Sequence, residues 1–124
     1  MYLDNWGAIK RQGAFDGLDY YNNSAGVMMY LHKSAVETVG AFNEKFGRYG
    51  FEHADYSIRV ARAGLLPQPF MCLPHASKYI HSLDYDGPFE NIEAVPNLSV
   101  EEIQLAKAKA IQHFSENPEI YIPL

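Results

Sequence analysis

Residues 26–64 read GVMMYLHKSAVETVGAFNEKFGRYGFEHADYSIRVARAG, and the order of apolar, capping and glycine signals within them sets the expected fold. Ala25 to His32 is a short, nearly continuous apolar run bounded by turn residues, which at this length predicts a buried strand. Ser34 and Glu37 follow at the spacing of a capping box, so a helix is expected to open at Ser34 and to end at Gly40, where a left-handed residue is wanted. Residues 41–51, AFNEKFGRYGF, mix aromatics with two glycines and read as loop. A second helix is expected to start between Glu52 and Asp55 and to end at Gly64. Tyr56, Val60 and Ala63 share one of its faces, Asp55, Arg59 and Arg62 another, and its N-terminal acids suit the helix dipole.

Upstream, residues 1–24 are polar and rich in Gly, Asn and Tyr, with turn signals at Asp16-Gly17 and Asn22-Asn23-Ser24, and are expected to be mostly loop. Downstream, short strands are predicted at Pro69–Leu73 and Ser77–Ser82 around the Pro74-His75 turn. Ser99 and Glu102 form another capping box, for a helix running to about Ser115 with an apolar stripe of Ile103, Ala106, Ala110 and Phe114. The expected architecture is one α/β domain over residues 1–124. It comprises a loop-rich lead-in (1–24), a strand-helix-helix-strand core (25–82) and a C-terminal helix (98–116), with a few short strands and three helices in all.

Composition narrows the function classes. The chain is 48% hydrophobic and 20% charged, as a folded domain should be, and its net charge of −5 with scattered basic residues argues against nucleic acid as a partner. A single cysteine, Cys72, excludes an intrachain disulfide and reads as a small buried hydrophobe within Phe70–Leu73. No window has the apolar length of a transmembrane segment, and no signal-like N-terminus stands out, so the expected location is cytoplasmic, with peripheral membrane association allowed. Nine Tyr, seven Phe and one Trp exceed what a small core requires, so some rings are expected to face a ligand.

Within residues 26–64, Val39-Gly40-Ala41-Phe42-Asn43-Glu44, Phe46, Tyr49-Gly50, Glu52, Asp55, Arg59 and Ala63-Gly64 fall in a fixed order. That order resembles the C-terminal signature of family 2 glycosyltransferases and of the related galactosyltransferase C-terminal domains. The resemblance implies the acceptor-side half of a GT-A fold, and an inverting transfer of sugar from a nucleotide-sugar donor to a saccharide or lipid-linked acceptor. It also implies a general base at the mouth of the second helix, because the acceptor hydroxyl must lose its proton as it attacks the anomeric carbon.

The family pair Glu-Asp is Glu52-His53 in this chain. Imidazoles accept protons near neutral pH as readily as the chemistry needs, so the base is Glu52 or His53, with Asp55 holding a second hydroxyl. Tyr49, Gly50, Phe51 and Arg59 are the implied substrate contacts, and His81 the implied ligand of Mn²⁺ or Mg²⁺ in the complete enzyme. No DxD precedes the segment. Asp84-Tyr85-Asp86 spells those letters downstream and reads as a loop acid pair.

Each of these residues also has a plain structural reading. Glu52 and Asp55 suit a helix N-terminus, and Asp55 can pair with Arg59 at i, i+4. Trp6, Tyr20, Tyr21, Phe46, Tyr49 and Phe51 are sugar-platform candidates that core packing could equally claim. His75 is a weaker ligand candidate, while His32 and His113 are expected at a strand end and on a helix surface. The alternative function is a non-catalytic carbohydrate-binding or assembly module derived from a transferase. A metal-dependent hydrolase built on His53, Asp55 and His81 is disfavoured because residues two apart do not share a helical face. The expected partners are nucleotide sugar, a saccharide acceptor, and either a second copy of the chain or an upstream donor-binding half.

Overall fold

The helix Glu52–Arg62 is the element against which the rest of the fold packs. The computed structural model describes residues 9–23, 28–47, 51–80, 99–116 and 118–124. In chain order they form β1 (Arg11–Phe15), β2 (Leu18–Tyr21), α1 (Lys33–Val39), a 3-10 turn at Glu44–Phe46, α2 (Glu52–Arg62), β3 (Met71–Cys72), a second 3-10 turn at Ala76–Lys78, and α3 (Val100–Ser115). The described residues are therefore mixed α/β, with three α-helices and one antiparallel sheet in the order β1-β2-β3. None of these helices is long and apolar enough to cross a membrane.

α2 has two apolar sides. Tyr56 and Val60 join Ala35 and Val39 of α1 in one buried cluster, with Met29, Leu31, Ala63, Leu66 and Ile120 packed around it. Ala54 and Ile58 join Phe70 in a second, flanked by Tyr21 of β2, Phe51, and Phe114 of α3. An 11-residue helix is too short to hold its shape in water unaided, so burial of both faces is what stabilises it.

The hairpin β1–β2 stands where loop was expected. Asp16 and Gly17 both take positive φ, 51° and 77°, which is the geometry of a two-residue turn whose twist matches the flanking strands. Phe15 pairs with Leu18 across it, and Arg11 Nε and Nη2 reach Asp19 Oδ1 at 2.9 and 2.8 Å. β3 adds Met71 opposite Tyr20 and Cys72 opposite Asp19, realising only the middle of the strand predicted at 69–73. At this edge Cys72 is exposed, not buried.

Other boundaries also differ from expectation. Residues 28–32 of the strand predicted at 25–32 are not in a strand, and within the one predicted at 77–82 the described residues form the 3-10 turn and the residues after it. α1 opens two residues earlier than a Ser34 cap requires. His32 is the cap, its Nδ1 accepting from the Ser34 amide at 3.2 Å. Gly40 ends α1 with φ 75°, as anticipated. α2 and α3 match their predicted spans, and the Ser99–Glu102 capping box forms in full. Along the α3 stripe, Ala110 is fully buried and Phe114 half-buried, while Leu105 and Ile111 face solvent.

Candidate functional site: the mouth of α2

The loop after α1 and the C-terminal segment are both tied to α2 by its own side chains, the candidate site residue Arg59 among them. A helix end leaves backbone carbonyls without intrahelical partners, and those that follow α1 are taken up one by one. Arg59 Nη1 donates to Val39 O at 2.6 Å, Tyr56 Oη to Gly40 O at 3.1 Å, and Arg59 Nη2 to Ala41 O at 2.7 Å. Arg59 Nη1 also reaches Ile120 O at 3.3 Å, and Arg62 donates to Pro118 O. The segment 118–124 is held further by Ile122, whose amide donates to Val39 O and whose carbonyl accepts from the Ala41 amide.

Asp55 neutralises the Arg59 guanidinium. Its Oδ2 lies 2.8 Å from Arg59 Nε, and its Oδ1 lies 2.8 Å from Nε2 of His113 on α3. Both Asp55 and Arg59 are 1% exposed. The guanidinium carbon sits 4.9 Å from the centre of the Tyr56 ring, and the Phe42 ring packs on the other residue of that stack at 4.7 Å. Burial pushes the Tyr56 phenol pKa up, and the Arg59 charge pulls it partly back down.

The i, i+4 pairing of Asp55 with Arg59 is therefore present, but on a buried face and not the solvated one that the helical pattern suggested. Asp55 and Arg59, expected as substrate contacts, make internal bonds with one another, with His113 and with the Val39, Ala41 and Ile120 carbonyls among the described residues. His113 likewise departs from its expected place on a helix surface. It is 10% exposed, pairs with Asp55, and meets the rings of Phe46 and Phe114 edge-on at 5.2 and 5.3 Å. No local signal marks it, since only the packing of α3 on α2 brings residues 58 positions apart together.

Glu52 and His53 remain at the surface of the first turn. Glu52 is 44% exposed and His53 17%, with Glu52 Oε1 at 4.0 Å from His53 Nδ1. Although the Glu52 side chain is partly open, its Oε2 is shielded from solvent and has no hydrogen-bond partner among the described residues. Phe51, immediately before, adopts the left-handed conformation with φ 42° and packs with Ala54, Ile58 and Phe70. Of the other aromatic candidates, Tyr21 and Phe46 are occupied in packing, and the Tyr20 ring lies over Gly13 so closely that a Cβ there would come within 2.7 Å of it.

Tyr49, Gly50, His81, Trp6 and the Asp84–Asp86 pair lie outside the described residues. Among the described residues no three His, Cys, Asp or Glu side chains gather into a set able to hold a metal ion, and Asp55 is committed to Arg59 and His113. No family model, no curated protein and no solved structure matches this chain.

Proposed function

We propose that this chain is the acceptor-side part of an inverting GT-A-type glycosyltransferase, moving a sugar from a nucleotide-sugar donor to a saccharide or lipid-linked acceptor. The observation that carries the reading is Glu52 Oε2, a carboxylate oxygen closed off from water at the mouth of α2 and left without a partner. An unsatisfied acceptor costs about 1–3 kcal/mol when solvent is excluded from it, so its retention is consistent with a bond made only when substrate is present.

In the proposed step Glu52 or His53 takes the proton of the acceptor hydroxyl. The freed oxygen electron pair forms the bond to the anomeric carbon, and the bond from that carbon to the nucleoside diphosphate breaks, the diphosphate leaving with its electrons. Asp55 and Arg59 serve beneath them as scaffold, fixing α2 to the loop after α1. A Mn²⁺ or Mg²⁺ ion would stabilise the departing diphosphate in the complete enzyme. The described residues do not form its site, and in this step the proton moves to Glu52 or His53 alone.

The test is sugar transfer by the full-length protein carrying Glu52→Gln or His53→Ala. Loss of the base should lower turnover by about 10²–10⁴ in one of the two variants. Parental turnover in both would end the reading.

One observation favours a second reading, a non-catalytic carbohydrate-binding or assembly module of the same descent. The buried Asp55–Arg59 pair gives this part of the motif a packing role that needs no chemistry. Calorimetric titration separates the two: a module binds oligosaccharide but no nucleotide sugar in the full-length protein, whereas a transferase binds both.

A further inference from the structure

The 3-10 turn Glu44–Phe46 and the last turns of α3 enclose a cleft of about 260 Å³, lined by Lys45, Phe46, Lys109, Gln112, His113 and Glu116. That volume is just under the ~300 Å³ at which small-molecule sites begin, so it suits a compact ligand of a few carbons. His113 is one of the lining residues, and its partner fixes which ring nitrogen donates toward Asp55. A carboxylate only accepts hydrogen bonds, so Nε2, 2.8 Å from Asp55 Oδ1, carries the ring proton. In the neutral ring Nδ1 is then a lone-pair acceptor, and no hydrogen bond from the described residues satisfies it. The Phe46 ring, edge-on at 5.2 Å, holds the imidazole plane.

The rest of the lining has the opposite need. Lys45 and Lys109 both line this one cleft, in a chain whose net charge is −5. The one carboxylate beside them, Glu116, is engaged by the Gln112 amide, with Nε2 to Oε1 at 2.8 Å. A simple anion would satisfy the lysines but offer nothing to Nδ1. A neutral polyol would satisfy Nδ1 but leave the charge unmatched.

We propose that this cleft binds a small carboxylate that also carries a hydroxyl group, its carboxylate taken by Lys45 and Lys109 and its hydroxyl proton donated to His113 Nδ1. The site goes beyond the transfer reading, since neither Glu52 nor a sugar nucleotide takes part in it.

The experiment titrates the chain with glycerate, propionate and glycerol, following the ¹⁵N resonances of the His113 ring by NMR. Glycerate should move the Nδ1 resonance and bind about tenfold more tightly than either propionate or glycerol, a difference of ~1.4 kcal/mol. His113→Gln keeps an amide donor for Asp55 but replaces the ring Nδ1 with a carbonyl oxygen in a different position, and should narrow the gap between glycerate and propionate. Lys45→Ala with Lys109→Ala, at two exposed positions, should weaken both acids alike. Glycerate binding no tighter than propionate, or an unmoved Nδ1 resonance, overturns the proposal. The wild-type resonance decides the matter even if His113→Gln does not fold. Failure here leaves the transfer reading intact, because the two assays share no ligand.

Discussion

Arg59 Nε lies 2.8 Å from Asp55 Oδ2, one helical turn away on α2, and both side chains are 1% exposed. A buried ion pair is not in itself a large source of stability, because desolvation offsets most of the attraction. Its value here lies in what the guanidinium does besides, accepting no bonds and donating to the carbonyls of Val39, Ala41 and Ile120.

Arg59→Met should accordingly destabilise the chain by about 3–5 kcal/mol, since it strands a buried carboxylate. The double variant Asp55→Leu, Arg59→Met removes the stranded charge and should recover part of that loss. It should not recover all of it, because the Ala41 and Ile120 carbonyls lose the guanidinium that donated to them. Urea denaturation of the two variants measures both quantities. A single variant costing under about 1 kcal/mol would mean that water reaches Asp55 and that the pair is not buried in solution.

Gly40 and Gly64 both have positive φ, at 75° and 78°, yet they should respond differently to alanine. At Gly64 nothing lies within 4 Å of the added methyl, so only the left-handed backbone penalty of about 1–2 kcal/mol applies. At Gly40 the new Cβ would fall 1.7 Å from the Ile122 carbonyl oxygen, a contact that backbone cannot tolerate. Gly40→Ala should therefore cost clearly more than Gly64→Ala and release the segment 118–124. Hydrogen exchange at the Ile122 amide, which donates to Val39 O, reports that release directly. Equal costs for the two substitutions, with Ile122 still protected, would contradict the bridge between Gly40 and Ile122.

The elements legible in the sequence were those whose signals are local. α3 could be read from Ser99 and Glu102 because a capping box is complete within four residues, and α2 from its amphipathic period and the glycine beyond it. The hairpin was equally local, since Asp16-Gly17 is a hairpin turn, but its strand Arg11–Phe15 is exposed at nearly every position and shows no apolar alternation. Tertiary structure decided the remainder. His32 caps α1 in place of Ser34, and Cys72 faces solvent because β3 is two residues long at the end of the sheet. At the candidate site the sequence marked Asp55 and Arg59 by type and spacing. It could not mark their partners, because the Val39, Ala41 and Ile120 carbonyls and the His113 ring are brought there by packing alone.

Glu102 should report its own cap through pH. The Ser99 backbone amide, at 2.7 Å, holds its carboxyl below the usual value of 4.5, with the Ser99 hydroxyl contributing less. A carboxyl whose pKa is depressed on folding stabilises the folded state above about 4.5, and that contribution is lost as pH falls through the lowered value. The start of α3 should thus loosen below pH 4.5, and not above it. Carboxyl ¹³C titration of Glu102 in the parent checks this, and Ser99→Ala, which keeps the backbone amide and removes only the lesser hydroxyl contribution, should raise the value slightly. An ordinary glutamate titration of Glu102 in the parent would show that the reciprocal cap does not persist in solution.

Glu52 gives the remaining prediction, and magnitudes decide its sign. Removing the carboxylate forfeits a favourable interaction with the α2 N-terminus of about 0.3–1 kcal/mol. It also removes a solvent-shielded, unpartnered oxygen whose burial costs about 1–3 kcal/mol. Glu52→Ala should therefore leave stability unchanged or raise it by up to about 2 kcal/mol, while lowering sugar transfer if Glu52 is the base. Substitutions that gain stability and lose activity are the mark of a group retained for function. Thermal unfolding of Glu52→Ala supplies the first half of that comparison, and transfer in the full-length protein the second. A loss of more than about 1 kcal/mol would show that the carboxylate is needed by the helix itself, and would remove the main support for assigning it the acceptor's proton.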